Sequence, residues 1–192
     1  MKIAITLTSS LSVGQEYIDL TKSIAQVLAQ AQFGVVYGGT EYGMMEELAK
    51  SYKRAGGTDL TGVMSKELES VTKNYKAFSD LDESIWVNQI GERIRKMIDL
   101  ADGFVIFPGG YGGLEEAVSI ISGKANKLHV KPIVLYNHGG FYNQLIQFFD
   151  FMHKKQFSKI SLPELVYVCD DINEIVTYFK KYSTTDLPDK FI

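Results

Sequence analysis

The chain has 192 residues, of which 45% are hydrophobic and 22% charged, and its formal net charge is −3. This length predicts a single domain with a sizeable core, residues 1–182, followed by a tail at 183–192. No block of lysines and arginines stands out, which argues against a nucleic-acid partner. No run approaches the ~18 apolar residues of a membrane span, so we expect no membrane partner.

The single cysteine, Cys169, excludes an internal disulfide framework and fits a reducing compartment. The N-terminal segment turns polar too soon for a secretory signal peptide. We therefore expect a cytoplasmic protein. His129, His138 and His153 show no metal-ligand spacing with Cys169 or with a carboxylate, so we expect no metal site.

Short apolar runs alternate with amphipathic segments along the chain. The runs are rich in β-branched or aromatic residues and lack polar alternation, as in strands buried on both faces. The predicted strands are 3–7, 34–37, 60–64, 103–107, 132–136 and 165–168. The predicted helices are 15–31, 43–55, 83–101, 113–125, 140–153 and 171–181. This order predicts an α/β fold with a mostly parallel sheet and helices on both faces.

Two stretches lack a clear pattern. Residues 65–82 fit either a mobile connection over the site or a helix with a loop, and the sequence leaves both interpretations open. Residues 183–189 are expected to form a surface loop.

Three loops rich in glycine or serine, 8–10, 38–43 and 108–113, each follow a predicted strand. Glycine lets backbone amides approach a ligand closely, and a following helix N-terminus adds unpaired N–H groups that suit a phosphate. Ligands of parallel α/β sheets bind at the carboxyl ends of the strands, so we expect the loops to converge there. Neither glycine-rich loop is a dinucleotide fingerprint or a Walker A loop, which favours a mononucleotide or sugar phosphate.

Three charged residues accompany the last loop. Glu115 and Glu116 lie in the first helical turn, where acidic residues also serve the helix dipole. Neighbouring helix positions point ~100° apart, so at most one of the two is expected to face a pocket. Arg93 lies on the apolar side of the predicted helix 83–101, with Trp86 and Met97. It either pairs with an anion inside or extends its stem to solvent, and the pattern leaves both open.

Together these motifs resemble the LOG ("Lonely guy") family, formerly labelled possible lysine decarboxylases. Residues 108–116 read PGGYGGLEE against the family pattern P-G-G-x-G-T-x-x-E, so Gly113 stands where the family has threonine. Arg93 matches the family arginine and keeps its spacing to the proline. Segments 8–10 and 37–46 match further family motifs, with Thr40 and Glu46 in place of glycines.

The resemblance implies a Rossmann-like fold, a homodimer and no cofactor. It also implies hydrolysis of the N-glycosidic bond of a nucleoside 5′-monophosphate, such as a cytokinin ribotide or AMP, to free base and ribose 5-phosphate. In that reaction Glu116 would stabilise an oxocarbenium-like ribose, and Arg93 would hold Glu116 and bind substrate. The predicted phosphate- and substrate-binding residues are Ser10, Gly39, Thr40, Gly109, Gly110, Tyr111, Gly112 and Gly113.

Two other functions remain open at this point. The same fold could serve a non-catalytic carrier of a nucleotide or of the molybdenum cofactor, and Gly113 keeps that alternative open. Lysine decarboxylation has little support, because it normally uses pyridoxal phosphate held by a lysine and no lysine lies on these loops.

Overall fold

The computed structural model describes residues 1–10, 12–184 and 186–189. Within these residues, one seven-stranded parallel sheet runs in the order β4-β3-β2-β1-β5-β6-β7. The strands are β1 (Lys2–Thr6), β2 (Gly34–Tyr37), β3 (Leu60–Ser65), β4 (Glu83–Val87), β5 (Gly103–Ile106), β6 (Ile133–Tyr136) and β7 (Tyr167–Cys169).

Helices cover both faces of the sheet. They are α1 (Gln15–Gln30), α2 (Gly43–Arg54), α3 (Lys66–Val71), α4 (Ile90–Leu100), α5 (Tyr111–Ala125), α6 (Asn143–Lys154), α7 (Leu162–Leu165) and α8 (Ile172–Lys181). Because side chains alternate along a strand, Ile3 and Ile5 join one apolar core while Ala4 joins the other. The Rossmann-like α/β fold expected from the sequence is confirmed.

The strand order reverses between β1 and β5. From β1 the chain builds outward through β2, β3 and β4, and it then returns to place β5 on the other side of β1. The loops that follow β1 and β5 therefore leave the carboxyl edge of the sheet towards opposite sides. Such a reversal opens a crevice where parallel α/β proteins bind ligands.

The predicted helix 83–101 is wrong in its first part. Residues Glu83–Val87 form β4, an edge strand in which Ile85 and Val87 are half-buried and Trp86 between them is exposed. That alternation has the period of a strand, not of a helix. Helix α4 begins only at Ile90. The carboxylate of Glu92 caps its start by accepting hydrogen bonds from the amides of Asn88 and Gln89.

The ends of the chain differ from the prediction in smaller ways. The predicted strand 165–168 divides into the end of α7 and the edge strand β7, in which Tyr167 and Val168 are partly exposed and not buried on both faces. Residues 65–82 form α3 and a loop. In the tail, Leu187 packs on the core and Asp189 pairs with Lys127, whereas residues 185 and 190–192 lie outside the described residues. Within the part of the chain that the structure describes, no helix is long and apolar enough to cross a bilayer.

Candidate active site

A cavity of about 600 Å³ opens at the carboxyl edge of the sheet, where the strand order reverses. The loops after β1, β2 and β5 line it together with α4 and the segment between α3 and β4. Among the predicted site residues, those that line the cavity are Thr40, Arg93, Gly110, Tyr111, Gly112, Gly113 and Glu116. The expected convergence of the three loops on one edge is therefore present.

An ion pair between Arg93 and Glu116 lies in the cavity wall. The Nη1 atom of Arg93 is 3.0 Å from Oε1 of Glu116, and the two side chains are only 8% and 5% exposed. The Nε atom of Arg93 also donates to the carbonyl oxygen of Val63, at 2.9 Å. The inward interpretation of Arg93 is thus correct, because Glu116 supplies the anionic partner that a buried guanidinium requires.

Gly38 makes room for this arginine. A Cβ atom at residue 38 would lie 2.3 Å from Nη2 of Arg93 and 2.9 Å from the end of Met45. Any other residue would therefore require the guanidinium of Arg93 and the end of Met45 to shift. From the sequence, Gly38 was assigned to a phosphate-binding loop. The only sequence signal for its close approach to Arg93 is the pair of glycines after β2.

The environment of Glu116 disfavours its charge. Burial raises the pKa of Glu116 above the ordinary 4.5, and the charge of Glu115 adds to the increase. The guanidinium of Arg93 opposes both effects and favours the carboxylate. Glu116 is therefore an acid whose ionised form depends on Arg93.

This environment predicts the pH dependence of any reaction that requires the Glu116 carboxylate. The carboxylate exists above its pKa and is lost as pH falls through it, so kcat should decline on an acid limb centred above pH 4.5. Removing the charge of Glu115 with Glu115→Gln should move this limb to lower pH. Profiles of kcat against pH for both proteins measure the shift, and an unmoved limb would contradict the assignment to Glu116.

The glycine loop leads directly into α5. Gly110 precedes the helix in an extended conformation, and no side chain caps the helix start. The first amides of an α-helix lack partners within the helix, so those of Tyr111, Gly112 and Gly113 are available at the cavity wall. A Cβ atom at residue 113 would make only ordinary contact, 3.8 Å from the oxygen of Leu7. The absence of threonine at this position is therefore not imposed by packing.

Three predicted ligand-binding residues do not line the cavity. Gly39 has a φ of +78°, and a Cβ there would approach Met64 Sδ to 2.1 Å and Gly62 Cα to 2.9 Å, so this glycine serves packing. Ser10 Oγ accepts a hydrogen bond from the amide of Ser12. A Cβ atom at Gly109 would lie 3.5–3.6 Å from backbone atoms of Leu7, Phe107 and Gly113. Their roles in substrate binding remain predictions.

Other cavity residues escaped the sequence reasoning. Residues 72–75 contribute Lys73 and Tyr75 to the wall; the sequence left open that residues 65–82 pass over the site, but no pattern singled out these two side chains. The expectation that only one of Glu115 and Glu116 faces the cavity is wrong, because both line it. Glu115 is exposed at the mouth, whereas Glu116 is buried. Within the described residues, no group of three His, Cys, Asp or Glu side chains could hold a metal ion.

Comparison with known proteins relates this site to a family. The model of the family described as "Possible lysine decarboxylase" matches residues 45–179, which include Arg93 and Glu116. A cytokinin riboside 5′-monophosphate phosphoribohydrolase of Rhodococcoides fascians is 30% identical over 83% of this chain and 79% of its own length. The chain belongs to the LOG family. A protein of the same name from Arabidopsis thaliana is 29% identical over 94% of the chain and 78% of its own length.

Solved structures similar to this LOG family member include two proteins titled as molybdenum-cofactor proteins. The carrier protein of Chlamydomonas reinhardtii has a TM-score of 0.70 at 19% identity, covering 94% of this chain and 96% of the other. The binding protein of Rippkaea orientalis has a TM-score of 0.67 at 17% identity, covering 93% and 94%. At this identity the likeness concerns the fold alone.

Proposed function

We propose that the protein hydrolyses the N-glycosidic bond of an adenine-type or cytokinin-type nucleoside 5′-monophosphate. The observation that carries this proposal is the buried Glu116 carboxylate, held by Arg93 beside the glycine loop at the start of α5. The relatives named phosphoribohydrolases support the same reaction. We also propose that the protein acts in the cytoplasm.

The 5′-phosphate binds at the start of α5. The free amides of Tyr111, Gly112 and Gly113 donate to it, and the positive end of the helix dipole favours its charge. Thr40, in the loop after β2, lines the same cavity. Placing the phosphate here puts the ribose within the same cavity as Glu116.

Glu116 acts on the ribose. Departure of the base leaves positive charge on the anomeric carbon, as in glycoside hydrolysis generally. A fixed carboxylate in a site of low polarity stabilises that charge and can orient the water that adds to the carbon. The water loses a proton, the base gains one, and the products are free base and ribose 5-phosphate. The reaction transfers no electrons, so the proposal includes no cofactor.

Incubation with AMP and isopentenyladenosine monophosphate tests the proposal directly. Chromatography should show free base and ribose 5-phosphate in equal amounts, increasing with time and enzyme concentration. A complete absence of base release from either nucleotide, at high enzyme concentration, would refute a hydrolase.

A carrier of an intact nucleotide or of molybdenum cofactor is the second candidate. Gly113, which lacks the hydroxyl of the family threonine, keeps this alternative open. A ligand that copurifies and stays intact during long incubation would support the carrier and contradict the hydrolase.

Restoring the threonine should strengthen phosphate binding. A Cβ atom at residue 113 makes only ordinary contacts, and a hydroxyl attached to it would add a hydrogen bond to a charged group. Such a bond should lower KM for AMP by about tenfold in Gly113→Thr. Gly113→Val has a similar shape without the hydroxyl and serves as the control. Equal KM values for the two variants would show that residue 113 does not contact the phosphate.

We propose further that the protein forms a homodimer through α5 and α6. Large apolar side chains are exposed on both helices, and they are Leu114, Val118, Phe148 and Phe151. The two helices are neighbours, since Val118 and Phe149 line one groove. A surface of this kind on a protein in water usually marks an interface, and the resemblance to the LOG family indicates a second copy as its occupant.

A charge in this surface should separate the dimer. Val118→Glu should elute as a monomer in size-exclusion chromatography with light scattering, because an unpaired carboxylate is costly in an apolar interface. Val71→Glu changes an exposed residue of α3 and should leave the mass unchanged. A monomeric mass for the unmodified protein would contradict this proposal.

A further inference from the structure

A second cavity, of about 660 Å³, lies at the C-terminal end of α5. Its walls come from α5, α7, β7, α8 and the tail. The glycine loop lies at the other end of this 15-residue helix, so a rise of 1.5 Å per residue puts the two sites roughly 20 Å apart. The cavity is therefore separate from the candidate active site.

Lys124 is a buried cation in the wall of this cavity. It is only 3% exposed, and within the described residues no carboxylate forms an ion pair with it. Its ammonium lies 5.1 Å from the centre of the Tyr182 ring. Burial lowers the pKa of Lys124, and no neighbouring carboxylate counteracts that effect. A cation–π contact and the helix dipole compensate only part of the cost of burying a charge.

The other charges around the cavity leave Lys124 without a counter-ion. Lys181 also lines the wall. Glu164 lies there too, but one of its carboxylate oxygens accepts hydrogen bonds from the amide and the hydroxyl of Ser161. Asp186, in the tail, completes the charged groups of the wall and makes no ion pair with Lys124 within the described residues. An anion from solution could therefore occupy a place that the chain itself leaves unfilled.

The remaining walls are flat or apolar. The rings of Tyr167 and Tyr178 stack with centroids 4.6 Å apart, and Tyr182 lies edge-on to Tyr178 at 5.8 Å. Val166 and Leu187 supply aliphatic surface. Aromatic and aliphatic walls beside a few charged groups are typical of sites for small ring compounds.

We propose that this cavity binds a small aromatic carboxylate, with its acid group on Lys124 and its ring against the tyrosines. The carboxylate supplies the missing counter-charge in a partly dry site, where charge-assisted hydrogen bonds are strong. Its ring covers apolar surface that is otherwise open to water. This site is independent of the proposed hydrolase reaction and does not rest on it.

Titration with benzoate, followed by calorimetry and thermal unfolding, tests the proposal. Benzoate should bind saturably and raise Tm, whereas benzyl alcohol, its uncharged analogue, should do neither. Lys124→Met keeps the length of the side chain without the charge and should weaken benzoate binding by at least about tenfold. Lys180→Ala removes a neighbouring lysine that does not line the cavity and should bind as the unmodified protein does.

A second measurement covers the case in which Lys124→Met does not fold. In the unmodified protein, benzoate should shift the NMR signal of the Lys124 side chain, observed in protein with ¹³C-labelled lysine, and AMP should not compete with it. Binding that survives Lys124→Met, competition by AMP, an unmoved Lys124 signal, or no saturable binding at about 10 mM would each overturn the proposal.

Discussion

Replacing Glu116 with glutamine should reduce kcat for base release from AMP by about 10³-fold while changing KM little. Glutamine keeps the size of the side chain and can still accept a hydrogen bond from Arg93. It cannot carry the negative charge that stabilises an oxocarbenium-like ribose. The loss should therefore fall on the transition state and not on nucleotide binding.

Initial rates of adenine release over a range of AMP concentrations measure this effect. Glu115→Gln is the matched comparison, because residue 115 lines the same cavity but is exposed at its mouth. It should lose less than about tenfold, since an exposed charge is screened by water. Equal losses in the two variants would remove Glu116 from its assigned role.

The second large effect concerns stability. Arg93→Met leaves Glu116 buried without its partner and should lower the free energy of unfolding by about 3–5 kcal/mol. The double variant Arg93→Met/Glu116→Met replaces both charges with apolar side chains and should recover most of that loss. Neither variant should release base. Such a recovery would indicate that the ion pair adds little to the stability of the fold and serves the reaction.

The pH dependence of the stability of Arg93→Met also tests whether Arg93 holds Glu116 in its charged form. Without Arg93, the pKa of Glu116 in the folded protein should rise further above its ordinary 4.5. At pH values between the ordinary pKa of 4.5 and this raised pKa, the folded state then binds more protons than the unfolded state. The free energy of unfolding of Arg93→Met should fall as pH rises through that window. Urea unfolding at several pH values measures it, and the double variant should lack this dependence.

The sequence predicted the centre of this fold better than its edges. Strands β1, β2, β5 and β6 are continuous apolar runs because they are buried on both faces, and burial leaves that pattern in the sequence. Edge strand β4 is half-exposed, so its residues resemble those of an amphipathic helix and were assigned to one. Strand β7 was predicted two residues too early, because the buried apolar residues Leu165 and Val166 directly precede it, and Leu165 belongs to α7.

The residues of the candidate site were likewise predicted where a local sequence pattern marks them and missed where none does. The glycine loop and Glu116 are adjacent in sequence, and the family spacing of Arg93 predicted its partner across a strand. The space that Gly38 leaves for the arginine depends on three elements meeting, and no local pattern records that. Residues 72–75 reach the cavity only because α3 turns the chain back over the sheet edge. The buried Lys124 was likewise hidden, since a lysine in a last helical turn is usually exposed.

A crystal structure of Glu116→Gln with bound AMP tests the central claim most directly. The variant should hold the nucleotide intact. The 5′-phosphate should lie on the amides of residues 111–113, and the anomeric carbon should lie beside the side chain of residue 116. A phosphate placed elsewhere, or a ribose turned away from residue 116, would contradict it.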